Sequence, residues 1–199
     1  MSGSVAVAAA AKINLCLHVT GRRADGYHTI DSLMAFVGLA DRLVAEAAPD
    51  GQLTLAVEGP FGRLLGPTGE DNIVLRAARA LARAAGSAAG AKLTLGKFIP
   101  VAAGLGGGSA DAAATLNALA RLWGVPGSLD LRPIALALGA DVPVCLAARP
   151  AHVTGIGENL GPVAALPDCG VLLVNPRIGL ETRAVFAAFD AAGAGGSAA

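Results

Sequence analysis

The chain opens with alternating apolar residues. Val5 to Val19 reads as two strand-like pieces, and in the second Ile13, Leu15, Leu17 and Val19 point one way. Lys12, Asn14, Cys16 and His18 are left on the other face, either as solubilising residues of an edge strand or as the wall of a polar site. Ile30 to Leu39 and Leu43 to Ala45 read as strands, as does the alternation Leu53, Leu55, Val57. Gly59 to Gly69 follows as a loop with two prolines. Asp71 or Asn72 then caps a helix whose apolar face is Val74, Ala78, Leu81 and Ala85, stopped by Gly86. Arg76, Arg79 and Arg83 fall on its other side, where charge is solvated.

In the middle of the chain a strand, Leu93 to Leu95, runs past Lys97 and Pro100 into the glycine cluster Gly104, Gly106, Gly107 and Gly108. A helix follows, with Ser109 as expected N-cap and Asp111 as negative charge in its first turn. Ala112, Leu116, Leu119 and Trp123 recur at helical spacing, and Gly124 with Pro126 supplies the stop. Beyond it, Leu131 to Leu138 predicts a short helix closed by Gly139. Asp141-Val142-Pro143-Val144 leads into an apolar strand, and Thr154 to Glu158 reads as a turn between strands. Gly170 to Val174 predicts a buried strand and Glu181 to Phe189 a short helix. From Ala187 the pattern decays into alanine, glycine and serine, a linker composition. No internal repeat is visible.

Strand, glycine loop and helix start make an anion site. Bare glycines let backbone N–H groups approach an oxyanion, and the helix dipole favours negative charge there. A nucleotide phosphate is the guest this suits. No lysine follows Gly108, which rules out a Walker A loop, and serine at position 109 breaks the dinucleotide fingerprint. Asp141 after a helix stop is, by position alone, a turn residue or a carboxylate placed for proton transfer.

Composition narrows the partners. Lys plus Arg and Asp plus Glu balance at 15 each, which argues against a nucleic-acid or membrane-surface protein. The chain is 54% hydrophobic, yet no apolar run reaches the about 18 residues a membrane span needs. Met1 to Ala11 lacks the basic start of a signal peptide. Cys16, Cys145 and Cys169 lie far apart without metal-ligand spacing, as reduced thiols of a cytoplasmic protein would. At 199 residues the chain is long enough to bury a sizeable core.

The motifs also resemble a known family. Pro100 to Ala112 is similar to the second motif of the GHMP kinases, Pro-x-x-x-Gly-Leu-Gly-Gly-Gly-Ser, whose loop wraps ATP phosphates. Ala11-Lys12-Ile13-Asn14-Leu15 and Gly21-Arg22-Arg23-Ala24-Asp25-Gly26-Tyr27-His28 resemble the opening of one branch of that family. That branch phosphorylates 4-diphosphocytidyl-2-C-methyl-D-erythritol on the non-mevalonate route to isoprenoids. Asp71-Asn72-Ile73-Val74 resembles the segment bordering the adenine pocket, and Leu138 to Pro143 the one carrying the catalytic aspartate. The likeness continues more loosely from Thr154 to Phe186.

The resemblance implies an α+β GHMP kinase fold, with residues 1–150 as the nucleotide-binding and catalytic domain. Residues 151–190 would begin an incomplete C-terminal domain, and 191–199 would be a flexible tail. It implies ATP and Mg²⁺, a cytidyl diphosphate sugar alcohol as substrate, and transfer to its 2-hydroxyl. Asp141 would take the hydroxyl proton, with Lys12 beside it holding the carboxylate ionised. Gly104, Leu105, Gly106, Gly107, Gly108 and Ser109 would cradle the phosphates, with Lys97 and Pro100 nearby and Asn72 at the adenine. Tyr27 and Phe186 would sandwich the cytosine, His28 would bond its edge, and Asn14 and Thr182 would complete the substrate set. The sequence departs from the family's pattern at Ala110, where a second serine is usual, and at Arg183, where a proline or similar small residue is common. The family's third glycine-rich motif is absent from these residues. A truncated kinase with weak or no turnover is therefore expected. A kinase for another small alcohol, such as homoserine or mevalonate, and a non-catalytic nucleotide-binding fragment are the rival readings.

Overall fold

The computed structural model describes residues 3–66, 69–176, 178–180 and 182–193. Its frame is a six-stranded sheet with helices packed on it. The first strand, β1 (Ser4–Arg22), is continuous, and it pairs along its length with antiparallel β2 (His28–Ala48). Strands β3 (Leu53–Glu58), β4 (Gly90–Gly96), β5 (Ala151–Gly155) and β6 (Asn159–Gly161) complete the order β3-β4-β2-β5-β6. On the side away from β1, β2 divides its partners: residues 42–48 pair with β4 and residues 30–34 with β5. The two strands expected from Ile30 to Leu39 and Leu43 to Ala45 are thus one. The polar step at Asp41 marks a fork in the sheet instead of a break in the strand.

The long β1 carries three register shifts, at Ala10/Lys12, Asn14/Cys16 and Val19/Gly21. A bulge inserts one unpaired residue and reverses which side chains face which way. The expected common face of Ile13, Leu15, Leu17 and Val19 therefore fails. Leu15 and Leu17 are 50% and 44% exposed, and Leu17 joins Lys12 and Asn14 on the cleft side in place of Cys16 and His18.

Helix α1 (Ile73–Ala84) is capped by Asn72, whose side chain accepts from the Val74 amide at 2.9 Å. It buries Val74, Ala78 and Leu81 as the periodicity predicts, while Arg76 and Arg83 stay exposed and Arg79 pairs with Glu70. The loop before it contains a short 3-10 turn, Gly62–Leu65. Helix α2 (Gly107–Leu122) lies against β1, β2, α1 and a later helix, α4 (Val142–Ala147). Its alanines Ala110, Ala112, Ala113, Ala114 and Ala118 are all buried, small enough for the helix to be covered on nearly every side. With Leu116 and Leu119 they join Leu43, Leu93 and Leu95 of the sheet in the core.

Two expectations about α2 are corrected. Its N-cap is Gly106, in the left-handed conformation at φ 66°, so Ser109 lies within the first turn and caps nothing. Asp111 is buried in a salt bridge and offers no solvated first-turn charge. Helix α3 (Arg132–Leu138) ends at Gly139. The stretch after Asp141 forms α4, not a strand: Pro143 sits at its start, where proline's fixed φ favours a helix. Gly170 to Val174 forms no strand and is not buried, with Leu172 87% and Val174 85% exposed. Its apolar run has no strand to pair with among the described residues. Helix α5 (Thr182–Ala191) runs beyond Ala187, so the residue composition there does not end it. Glu181, and residues 194–199 of the expected tail, lie outside the described residues, as do Met1 and Ser2 of the amino-terminal stretch. Cys16, Cys145 and Cys169 are free thiols, and no described helix is long and apolar enough to cross a membrane.

Candidate active site

The residues singled out from the sequence come from β1, β4, the glycine loop, α1, α2, α4 and α5. All of them line one open cleft of about 980 Å³. The bulged β1 puts Lys12 at its base, 7% exposed, with its Nζ at 2.8 Å from Asn14 Oδ1 and 3.1 Å from Asp141 Oδ2. Asn14 is held in turn: its Nδ2 donates to Ser32 Oγ at 2.7 Å, and Ser32 donates to the Cys16 carbonyl at 2.7 Å. A buried ammonium needs compensation, and this polar chain supplies it.

Asp141 occupies the N-cap position of α4, yet its side chain caps nothing there. An aspartate at that position ordinarily bonds the helix's free amides. Here the carboxylate turns to Lys12 and stays 31% exposed to the cleft, within reach of a bound molecule. Cys145, one turn on, is inert as a nucleophile: burial above all, with Asp141 adding, pushes its thiol up to about 12.

The glycine loop arches over Lys12. The Lys12 amide donates to the Leu105 carbonyl at 3.0 Å, stitching loop to strand. Gly104 and Gly106 are left-handed at φ 73° and 66°. A Cβ on Gly106 would stand 2.7 Å from Lys12 Cγ, so glycine is required there for conformation and for space. The first turn of α2 leaves the amides of Gly107, Gly108 and Ser109 without intrahelical acceptors, and the helix dipole adds positive potential at that end. Gly108 has open space where a Cβ would stand. Together these build an anion seat a short distance from the Lys12–Asp141 pair.

Lys97 borders the cleft but does not offer its charge to it. Its ammonium is bonded to Asp41 and, at 2.8 Å, to Asp111 behind the loop. Asn72 likewise spends its side chain on the α1 cap while its flank lines the cleft. At the far end, His28 is stacked on Phe186 with ring centroids 4.6 Å apart and planes at 11°. His28 Nε2 lies 2.7 Å from Asp190 Oδ1, and Arg22 reaches the other Asp190 oxygen at 3.3 Å. Tyr27 stands 57% exposed beside them, and Thr182 opens α5 at the same end.

Sequence reading missed Asp41, Arg22 and Asp190. Asp41 carried a signal, a charge set inside an otherwise apolar strand. Asp190 lies four residues after Phe186 on the same helix face, but within the stretch whose composition reads as decay. Among the described residues no group of three or more His, Cys, Asp or Glu side chains could hold a metal ion.

Comparison with known proteins bears on this geometry. Residues 72–149 match the family model of the GHMP kinases N terminal domain. The chain is 53% identical over 186 residues to the 4-diphosphocytidyl-2-C-methyl-D-erythritol kinase of Paramagnetospirillum magneticum, covering 93% of this chain and 64% of the relative. It is 54% identical over 194 residues to the protein of that name from Parvibaculum lavamentivorans, covering 96% and 66%. Among solved structures, that of a 4-(cytidine 5'-diphospho)-2C-methyl-D-erythritol kinase aligns with a TM-score of 0.65 at 44% identity, over 82% of this chain and 56% of that one. The chain thus spans less than two thirds of the length of these relatives.

Proposed function

We propose that this chain, which carries the GHMP kinase N-terminal domain and fold, moves the γ-phosphoryl group of ATP to the 2-hydroxyl of 4-diphosphocytidyl-2-C-methyl-D-erythritol. The observation that carries the reading is the Lys12–Asp141 pair, 3.1 Å apart at the foot of the glycine loop. An alcohol is a poor nucleophile at neutral pH, so a carboxylate must take its proton as it attacks phosphorus. Asp141 is placed and left free for this by not capping its helix. Lys12 holds the carboxylate in its charged form and offsets the negative charge that develops on the entering oxygen.

The amides of Gly107, Gly108 and Ser109 receive the phosphates, and the glycines of the loop let them come close. Mg²⁺ travels with the nucleotide, where it neutralises phosphate charge during transfer. The described residues offer no cage for it, so the phosphates themselves are its principal ligands. Asn72 and Pro100 border the adenosine end.

The opposite end suits a flat base with polar edges. Tyr27 and Phe186 present aromatic faces and His28 a ring nitrogen, and the names of the relatives make cytosine the base. The stacked His28–Phe186 pair closes part of this seat, so base binding slides Phe186 off His28 toward the plane facing Tyr27. Asn14 and Thr182 flank the sugar-alcohol path between the two ends. In this reading residues 1–150 are the catalytic domain and 151–190 the start of a second one. The three free thiols fit a reducing, cytoplasmic setting.

A substrate panel tests the assignment. Purified chain with Mg·ATP should add one phosphate to the cytidyl substrate and leave mevalonate and homoserine untouched. Transfer to either small alcohol at a comparable rate would overturn the cytidyl reading.

A further inference from the structure

Behind the phosphate loop lies a buried ion cluster to which the transfer scheme gives no task. Asp41 sits at the fork of β2, Lys97 directly after β4, and Asp111 one turn into α2. Lys97 Nζ is bonded to Asp41 Oδ2 and to Asp111 Oδ2, and all three side chains are at most 3% exposed. Asp41 is the better satisfied acid, since its Oδ1 also accepts the amides of Phe98 and Ile99 at 2.5 and 2.7 Å. Asp111 has only Lys97, and its Oδ1 is buried with no partner among the described residues.

Two carboxylates thus share one ammonium, and with both ionised the cluster holds a net negative charge out of water. Such a charge is expensive unless one acid takes up a proton. The under-bonded acid is the one that yields. Burial raises the Asp111 carboxyl to about 7, with Lys97 pulling the other way and Asp41 adding to the rise. The surrounding groups leave this assignment alone. From α4 comes Cys145, neutral through the physiological range, and Lys12 is already paired with Asp141. On α1 Arg76 and Arg83 are exposed and Arg79 pairs with Glu70, and on α3 Arg132 pairs with Asp130.

The cluster's position gives it a consequence. Lys97 and Asp111 flank the loop, so their 2.8 Å bond ties its beginning to its end. Lys97 Nζ lies 3.0 Å from where a Cβ on Gly107 would stand, directly beneath the first residue of α2. Charge in the cluster is therefore felt at the anion seat through protein, not through water.

We propose that Asp111 is a positioning residue of the phosphate loop that must be protonated for tight polyphosphate binding, so that the chain takes up a proton when it binds ATP. The ionised acid places negative charge under the phosphates, whereas the neutral acid leaves the Asp41–Lys97 pair balanced and still accepts from Lys97. This rests on the reading of the loop as an ATP site. By linkage, bound phosphate raises the proton affinity of Asp111, and affinity for ATP falls as pH rises through neutrality.

The test is calorimetric titration of the chain with Mg·ATP, in buffers of different ionisation enthalpy, for the parent and for Asp111→Asn. The parent should take up a fraction of a proton near neutral pH beyond any the nucleotide itself exchanges. Its dissociation constant should weaken roughly three- to tenfold between about pH 6 and 8.5, within the limit that one linked proton sets. Asp111→Asn should bind with that extra uptake and that slope removed, which a purely structural role would not produce. Should the variant fail to fold, carboxyl titration of the parent by ¹³C NMR decides instead: Asp111 should titrate near neutrality and move upward with Mg·ATP. Binding with equal proton uptake in parent and variant, or an Asp111 signal that Mg·ATP does not move, overturns the proposal and leaves the ATP site standing. No binding by the parent at any pH overturns both.

Discussion

Gly106 concentrates the demands of the site in one residue. It must turn left-handed to start α2, and its missing side chain is the space that Lys12 occupies. Gly106→Ala should therefore lower stability by about 1 kcal/mol or more from backbone strain alone. It should also weaken Mg·ATP binding by displacing Lys12 and the loop together. Gly108→Ala, which has room for a methyl group, serves as the control in a denaturant melt. Equal effects of the two changes would show that Lys12 and Gly106 do not constrain each other. Residue types and spacing in the sequence were enough to pick out groups that the fold brings to one cleft. Their partners were harder to see. Asp41 acts across 56 residues of chain on Lys97, and Asp190 across 162 on His28. Such pairings exist only once the sheet and α5 are assembled, so local pattern carries no trace of them.

Among the elements, α2 is the one whose packing the sequence shows most fully. Leu119 is fully buried against the sheet, and Leu119→Ala should cost about 2–5 kcal/mol of stability. Leu172 looks equally hydrophobic in sequence yet is exposed, so Leu172→Ser should change stability by less than about 0.5 kcal/mol. Chemical denaturation of both variants checks the contrast, and a large loss from Leu172→Ser would show that the 170–174 segment is packed after all. That segment exposes the limit of reading periodicity: a short apolar run says what a strand would bury, not whether a neighbour exists to bury it. The stretch after Asp141 failed for another reason. Pro143 signals a turn before a strand or the first turn of a helix, and only contact with α2 selects the helix. On β1 the alternation was legible, but the bulges that turn Leu17 into the cleft leave no mark in it.

For the whole molecule the buried cluster sets a pH dependence of stability. The folded-state acidity of Asp111 is raised from 3.8 to about 7, chiefly by burial. Its contribution to stability is thus full below its unfolded value and is lost as pH rises through about 7. Measured by urea unfolding, Asp111→Asn should gain on the parent as pH is raised from acid to neutral. A difference that stays constant across that window would place the proton elsewhere. The central claim concerns the same assembled molecule: the glycine loop, β1 and α4 make one phosphoryl-transfer site with Asp141 as its base. Its most direct measurement is phosphotransfer by purified parent and Asp141→Asn chains, with Mg·ATP affinity determined on the same samples by thermal shift. Nucleotide at 100 times its Kd stabilises a binder by about 2.7 kcal/mol, which a melt resolves. The account predicts that both chains show the shift while the variant transfers phosphate roughly 10²–10⁴-fold more slowly. Turnover by Asp141→Asn within a few-fold of the parent, with the nucleotide shift intact in both, would contradict it.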